Sequence, residues 1–476
     1  MPSQKKNLHF CFALPLLSIS LLFQMQTYTT YNPFSQKALQ TYTFEDEQVF
    51  SQKVAAADRA FRFWRKVEIS EKAALFEKMA DLLVKKRDEL AQIATQEMGK
   101  PLTQARAEVE KCAKLCRYYA QRAVVFLSEK NYTSNFSKSY VRYEPLGTIF
   151  AVMPWNFPYW QVFRFAVPTL MAGNTALLKH APNTFGCALA IENLFKEVGF
   201  PAQVFQNLIL KVEDVEKIIA TPSVRAVTLT GSERAGASVA ALAGKYLKKS
   251  VLELGGSDPF IVLADADLEV ASDMAVLSRC QNSGQSCIAA KRFLVVKEIA
   301  EEFTRLFKAK MEKLVVGDPL SLATQVGTLA RPDLADTLEK QVQQALSEGA
   351  KLLTGGKREN NFFFPTILTN VSKENIAFRQ ELFGAVAALS LVEDETQALE
   401  WANVSAYGLG ASIWTKNIEK AEKMAQNLES GSVFINQMVQ SDPILPFGGI
   451  KNSGFGRELS DFGIQEFCNI KTVVVA

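Results

Sequence analysis

Histidine is nearly missing from this chain: there are two in 476 residues, His9 and His180. That scarcity argues against a Ser-His-Asp triad and a Cys-His pair, and against a histidine-rich zinc site. Cysteine is sparse as well. Seven stand at 11, 112, 116, 187, 280, 287 and 468, an odd number at low density, which is not a disulfide framework. Cys112 and Cys116 lie one helical turn apart, but the sequence offers no further ligands near them. Packing is the better explanation, and no metal site is expected. Charge of one sign is lacking too. The net charge is +3 and no basic run is long enough for nucleic acid. Repeats and low-complexity tracts are absent.

Long apolar runs are also short in supply. The one candidate, Phe10 to Phe23, follows Lys5 and Lys6 and is broken by Pro15, Ser18 and Ser20. It resembles a signal peptide without a small-x-small cleavage site, and it is too short for a comfortable membrane span. Residues 1–24 are therefore expected to be a signal-like or mis-assigned extension, with Met25 the true start. A real anchor is the third option. The body of the chain reads as cytoplasmic.

What is present is a soluble balance, 48% apolar and 22% charged, over a length that calls for two or three domains. Phe50, Val54, Ala57, Phe61 and Trp64 share one helical face. Ser70 is expected to cap a second helix that runs on through Leu90 and Ile93 to Gly99 and Pro101. A third helix follows from about Thr103 to Arg122, then a polar, aromatic stretch, Asn131 to Tyr143, with the look of a hairpin. From Gly147 onward short apolar or β-branched runs alternate with helical ones. The runs are Gly147–Met153, Thr175–Lys179, Val204–Leu210, Arg225–Leu229 and Val251–Glu253. Such alternation predicts an α/β fold with a parallel sheet and ligands at the carboxyl ends of its strands. A second α/β segment begins at Asp258. An apolar strand, Thr472–Val475, closes the chain and needs an edge to pair with.

Chemistry is carried by the turns. Cys287 sits among small, polar neighbours, with Gly284 ahead of it allowing the backbone to approach a ligand closely. A buried, inert thiol is the plainer reading of a lone cysteine. If Cys287 is a nucleophile, the shortage of histidine leaves a carboxylate or water as its base. Pro154-Trp155-Asn156-Phe157-Pro158 is a stiff loop carrying one amide, a good mount for an oriented donor. Gly231-Ser232 opens a helix whose N–H groups can meet a phosphate, though the usual dinucleotide spacing is missing. Glu253 ends a strand and two glycines follow Leu254.

These residues, with Lys179, Glu381-Leu382-Phe383-Gly384 and Pro446 to Glu458, resemble the motif set of the aldehyde dehydrogenase superfamily, in its order and spacings, from Tyr31 to the C-terminus. The resemblance implies two Rossmann-like α/β domains plus a small β bridging element. Residues 25–122 and 143–252 would bind cofactor, 253–437 would form the catalytic domain, and 123–142 with 438–476 the oligomerisation element. It also implies roles. Cys287 attacks the aldehyde, Asn156 and the Cys287 N–H hold the oxyanion, and Glu253 activates water. Trp155, Lys179, Gly231, Ser232, Leu254, Glu381 and Phe383 meet the dinucleotide. Two departures stand out. Ala385 replaces the proline that usually follows Gly384. Pro182 occupies the position where NAD-specific members often carry Glu, so NAD is expected with NADP possible, and the adjacent His180 is a candidate to sense a 2′-phosphate.

The stretch from Met153 to Arg164, Lys179 to Asn183 and Phe467 to Ile470 is similar to the bacterial succinate-semialdehyde dehydrogenase branch. That similarity implies a pocket in which Arg164 and Ser441 hold the substrate carboxylate. A second Arg found six residues before the cysteine in some relatives is Gln281 here. Glutarate semialdehyde, medium-chain aldehydes, a CoA-acylating reaction and a silent binding protein are the alternatives. A homodimer or homotetramer is expected from the strand at the C-terminus.

Overall fold

The computed structural model describes residues 26–476, so the expectations for residues 1–24 and Met25 lie outside it. Its frame is set by strands buried on both faces. Thr175–His180, Asp258–Val262 and Ala290–Val296 are buried at every position. Their continuous apolar runs suit a parallel sheet covered by helices.

The first sheet has the order Phe205–Asn207, Thr175–His180, Thr148–Met153, Val224–Thr230, Lys249–Glu253 and Gly454–Phe455. All neighbours are parallel except the last pair. Chain order reverses between Thr148–Met153 and Val224–Thr230. At such a switch point the loops after the two strands diverge and leave a crevice. Those two loops hold Trp155-Asn156 and Gly231-Ser232.

The second sheet has the order Lys351–Thr354, Thr366–Thr369, Val386–Val392, Ala290–Val296, Asp258–Val262, Gly410–Trp414 and Ser432–Ile435. A third, three-stranded antiparallel sheet joins Lys130–Asn131, Lys138–Pro145 and Cys468–Val475.

Several expectations need correction. The helix expected from Ser70 to Gly99 is two, Ile69–Lys85 and Arg87–Met98, broken at Lys86. Glu68, not Ser70, stands at the N-cap and makes no side-chain cap bond. Residues 123–126 belong to the long helix Leu102–Phe126, where Ala123 is fully buried. Of the segment 438–476, only Cys468–Val475 joins the third sheet, while Gly454–Phe455 extends the first. The hairpin Thr27–Tyr31 with Ala38–Thr43 was not foreseen.

Candidate active site

Cys287 lies just before the strand Ala290–Val296, so it enters from the amino end of the second sheet. It faces the loops at the carboxyl ends of the first. Two cavities meet at it. One, of about 320 Å³, is lined by Trp155, Asn156, Gly231, Ser232, Glu381 and Phe383. The other, of about 350 Å³, is lined by Lys111, Trp160, Arg164, Ser441 and Phe447. Gln161 and Cys287 belong to both walls.

The cysteine loop is pinned from many sides. Asn282, Ser283 and Gly284 take successive φ values of 57°, 55° and 75°. The Lys291 ammonium donates to the carbonyls of Ser286 at 2.9 Å and Cys287 at 2.8 Å. Arg279 Nη2 donates to Gly284 O at 2.7 Å, and Gln285 Oε1 accepts from Ala330 N at 2.9 Å. Gly284 does permit a close approach, but to protein backbone rather than to a ligand: a Cβ there would stand 2.3 Å from the Gly384 carbonyl carbon.

Burial pushes the Cys287 thiol up to about 12, opposed by the charges of Arg164 and Lys291. Cys280 is pushed equally far, to about 12, yet it is buried against Met311. Access to a cavity, not acidity, distinguishes Cys287.

Asn156 is 4% exposed. Its Nδ2 donates to Gln285 O at 3.0 Å and its Oδ1 accepts from Gln161 Nε2 at 3.1 Å. An amide nitrogen has two hydrogens; the second is available to the cavity that Asn156 lines with Cys287. Gln161 was missed by the sequence reading. Its signal was its place beside the stiff loop.

Glu253 ends its strand with both carboxylate oxygens unpartnered among the described residues. It lines neither cavity, although its neighbours Leu254 and, across the sheet, Thr230 line the first. Burial, then the nearby Glu458, pushes its carboxyl well above the usual range. Glu458, also missed, is buried and forms an ion pair with Arg164.

Arg164 reaches the second cavity already engaged. Beyond the Glu458 pair, its guanidinium lies 4.6 Å from the centroid of Phe447. Ser441 Oγ accepts from Lys111 Nζ at 2.8 Å and from Trp160 Nε1 at 3.1 Å. Gln281 is exposed on the same wall.

The first cavity suits a dinucleotide. Ser232 caps the helix Glu233–Lys245, accepting from Ala235 N, so N–H groups open toward Gly231. Trp155 and Phe383 meet edge to face at 5.8 Å, with the Arg331 guanidinium 5.8 Å over the indole. Glu381 is fixed by Lys291 at 3.2 Å and by Gly256 N at 3.1 Å. Lys179 is 5% exposed and its ammonium is lowered by burial. Lys179, His180 and Pro182 lie outside this cavity's wall. His180 cannot sense a phosphate. It is fully buried, its Nε2 donates to Pro158 O at 2.9 Å, and its Nδ1 accepts from Ala181 N and Thr184 Oγ1. Burial lowers it to about 4, so it is neutral. Pro182 opens a short 3₁₀ turn and places no carboxylate there.

Among the described residues no cluster of His, Cys, Asp and Glu fits a metal ion, and no helix is long and apolar enough to cross a membrane.

Residues 23–473 match the model of the Aldehyde dehydrogenase family. A probable succinate-semialdehyde dehydrogenase (NADP(+)) of Synechocystis sp. is 48% identical over 94% of this chain and 99% of its own length. The succinate semialdehyde dehydrogenase (NAD(P)+) Sad of Escherichia coli is 47% identical over 93% and 96%. The crystal structure of succinic semialdehyde dehydrogenase from Streptococcus pyogenes, in complex with NADP+, superposes with a TM-score of 0.92 at 38% identity. That match covers 94% of this chain and 99% of the other.

Proposed function

Because the chain belongs to the aldehyde dehydrogenase family, we propose that it oxidises succinate semialdehyde to succinate with NAD(P), through a thiohemiacetal and then a thioester on Cys287. The observation that carries this reading is the placement of Cys287 in the shared wall of two cavities. One offers a helix N-terminus and aromatic faces to a dinucleotide. The other offers cations and a hydroxyl to a short carboxylated aldehyde.

In this reading Cys287 Sγ attacks the aldehyde carbon: the S–C bond forms, the carbonyl π pair moves to oxygen, and the thiol proton passes to water in the cavity. The oxyanion meets the free N–H of Asn156 Nδ2, a donor worth about 3 kcal/mol in such a setting. Bound NAD(P) supplies the hydride acceptor that converts the thiohemiacetal to the thioester. Glu253 then takes a proton from the water that hydrolyses it. Burial and Glu458 push the Glu253 carboxyl well above the usual carboxylate range, which makes its ionised form a stronger base. Its two oxygens have no hydrogen bonds to break on the way.

Either dinucleotide is accepted. No carboxylate at Pro182 disputes a 2′-phosphate, and Lys179 offers a cation. Residues carried on the first sheet hold the cofactor and those around the second supply the nucleophile. The third sheet serves oligomerisation: Cys468–Val475 is an edge strand with Ile470, Val474 and Val475 exposed, which supports a homodimer or a tetramer built from it. All six described cysteines are free, and a thiol nucleophile needs a reducing compartment, which supports the cytoplasm.

A broader aldehyde range is favoured by one observation, the engagement of Arg164 by Glu458. The deciding experiment is steady-state oxidation of succinate semialdehyde and of butanal, each with NAD and NADP. A preference for the carboxylated aldehyde is expected, and equal rates on both would reduce the reading to a general aldehyde dehydrogenase.

A further inference from the structure

The substrate-side cavity contains a cation with no counter-charge. Lys111 comes from the helix Leu102–Phe126, far from every motif that marks the site. Its ammonium donates to Ser441 Oγ and lies 4.1 Å from the centroid of the Trp160 ring. The acids beside it on the helix are already taken. Glu108 pairs with Lys100, and Glu110 with Arg87 at 2.9 Å. Asp442, the other acid on this wall, accepts instead from Ile444 N in its own turn at 2.9 Å. Arg164 differs, since Glu458 already neutralises it. Burial, and next the like charge of Arg164, lowers Lys111 to about 8, with Asp442 and Glu108 acting the other way. A half-buried cation with no acid paired to it is costly, and an anion relieves it.

Ser441 completes the arrangement. Its oxygen accepts from both Lys111 and Trp160, so its own hydrogen is left to donate. We propose that the Lys111 ammonium and the Ser441 hydroxyl together grip the distal carboxylate of the substrate, so that Lys111 sets the preference for carboxylated aldehydes. This rests on the substrate reading above. It also accounts for the Gln281 departure: the second positive charge arrives from a different element.

The test uses the full-length enzyme and two variants. Lys111→Met keeps the apolar stem against Trp160 and removes the charge, while Lys111→Arg keeps the charge. Lys111→Met should raise KM for succinate semialdehyde about tenfold to a hundredfold, as for loss of a charge-assisted bond. Butanal kinetics should change by less than about threefold. Inhibition by glutarate, a dead-end dicarboxylate, should weaken by the same factor as the KM effect, and Lys111→Arg should restore most of both. Equal losses on the two aldehydes, or unchanged glutarate inhibition, would overturn the Lys111 assignment while leaving a wild-type preference for the carboxylated substrate intact. A wild-type enzyme with no such preference would overturn the substrate reading and this assignment together.

Discussion

Gln161 Nε2 donates to Asn156 Oδ1 at 3.1 Å, and this bond decides which end of the Asn156 amide can serve the reaction. With the oxygen held, the nitrogen must face Gln285 O and the cavity. Gln161→Leu removes the hold without changing the side chain's bulk greatly. Turnover should fall about tenfold or more as the donor loses its orientation, with little change in cofactor affinity. Unchanged kcat in Gln161→Leu would deny the positioning role.

The Cys287 thiol, pushed up to about 12 by burial, gives a pH signature. Below that value the thiolate fraction grows about tenfold per pH unit. Alkylation of the cofactor-free enzyme by iodoacetamide should therefore climb steadily from pH 6 to pH 9 without levelling. The Cys287→Ala enzyme should show neither this labelling nor turnover. A plateau near pH 7 in the wild type would mean a far more acidic thiol.

Glu253→Gln keeps the shape of the buried carboxyl and removes its basicity. The first turnover should still release a burst of reduced cofactor, while steady-state turnover drops by about a hundredfold or more. Rapid-mixing absorbance separates the two phases. Equal loss of burst and steady state would place Glu253 before the thioester rather than after it.

Gly284→Ala tests the packing beneath the nucleophile. The new Cβ meets backbone at 2.3 Å, and φ is +75°, so neither the loop nor its neighbour can yield cheaply. A loss of about 3 kcal/mol or more is expected, read as a lower urea midpoint.

Much of this site could be read from the sequence because its parts sit on turns directly after strands. Asn156, Gly231 and Glu253 mark strand ends with prolines and glycines, and local chemistry fixes those turns wherever the rest of the chain goes. Lys111 could not be found that way. It is one of two lysines on a long helix, Lys111 and Lys114, and helical periodicity does not say which residue will look into a cavity formed by Ser441 and Trp160. Glu458 closes a glycine-rich run that the sequence reading quoted, but its partner Arg164 is nearly three hundred positions earlier. The break at Lys86 was hidden because both halves share one apolar pattern and the backbone departs from it at a single residue. Gly284 was expected to let the backbone approach a ligand; what approaches it is the backbone of Gly384 and Ala385, which only the tertiary fold could name.

The Asn156–Gln285 hydrogen bond at 3.0 Å also joins a loop of the first sheet to the loop that carries the nucleophile. The proposed oxyanion donor and the sulfur are thus held in register by a stitch that neither sheet contains alone. Each sheet can be perfectly folded and the enzyme still idle if that seam opens by an ångström. The rate constant is therefore a gauge of assembly, and substitutions far from the aldehyde that loosen the seam should register in turnover before they register in melting.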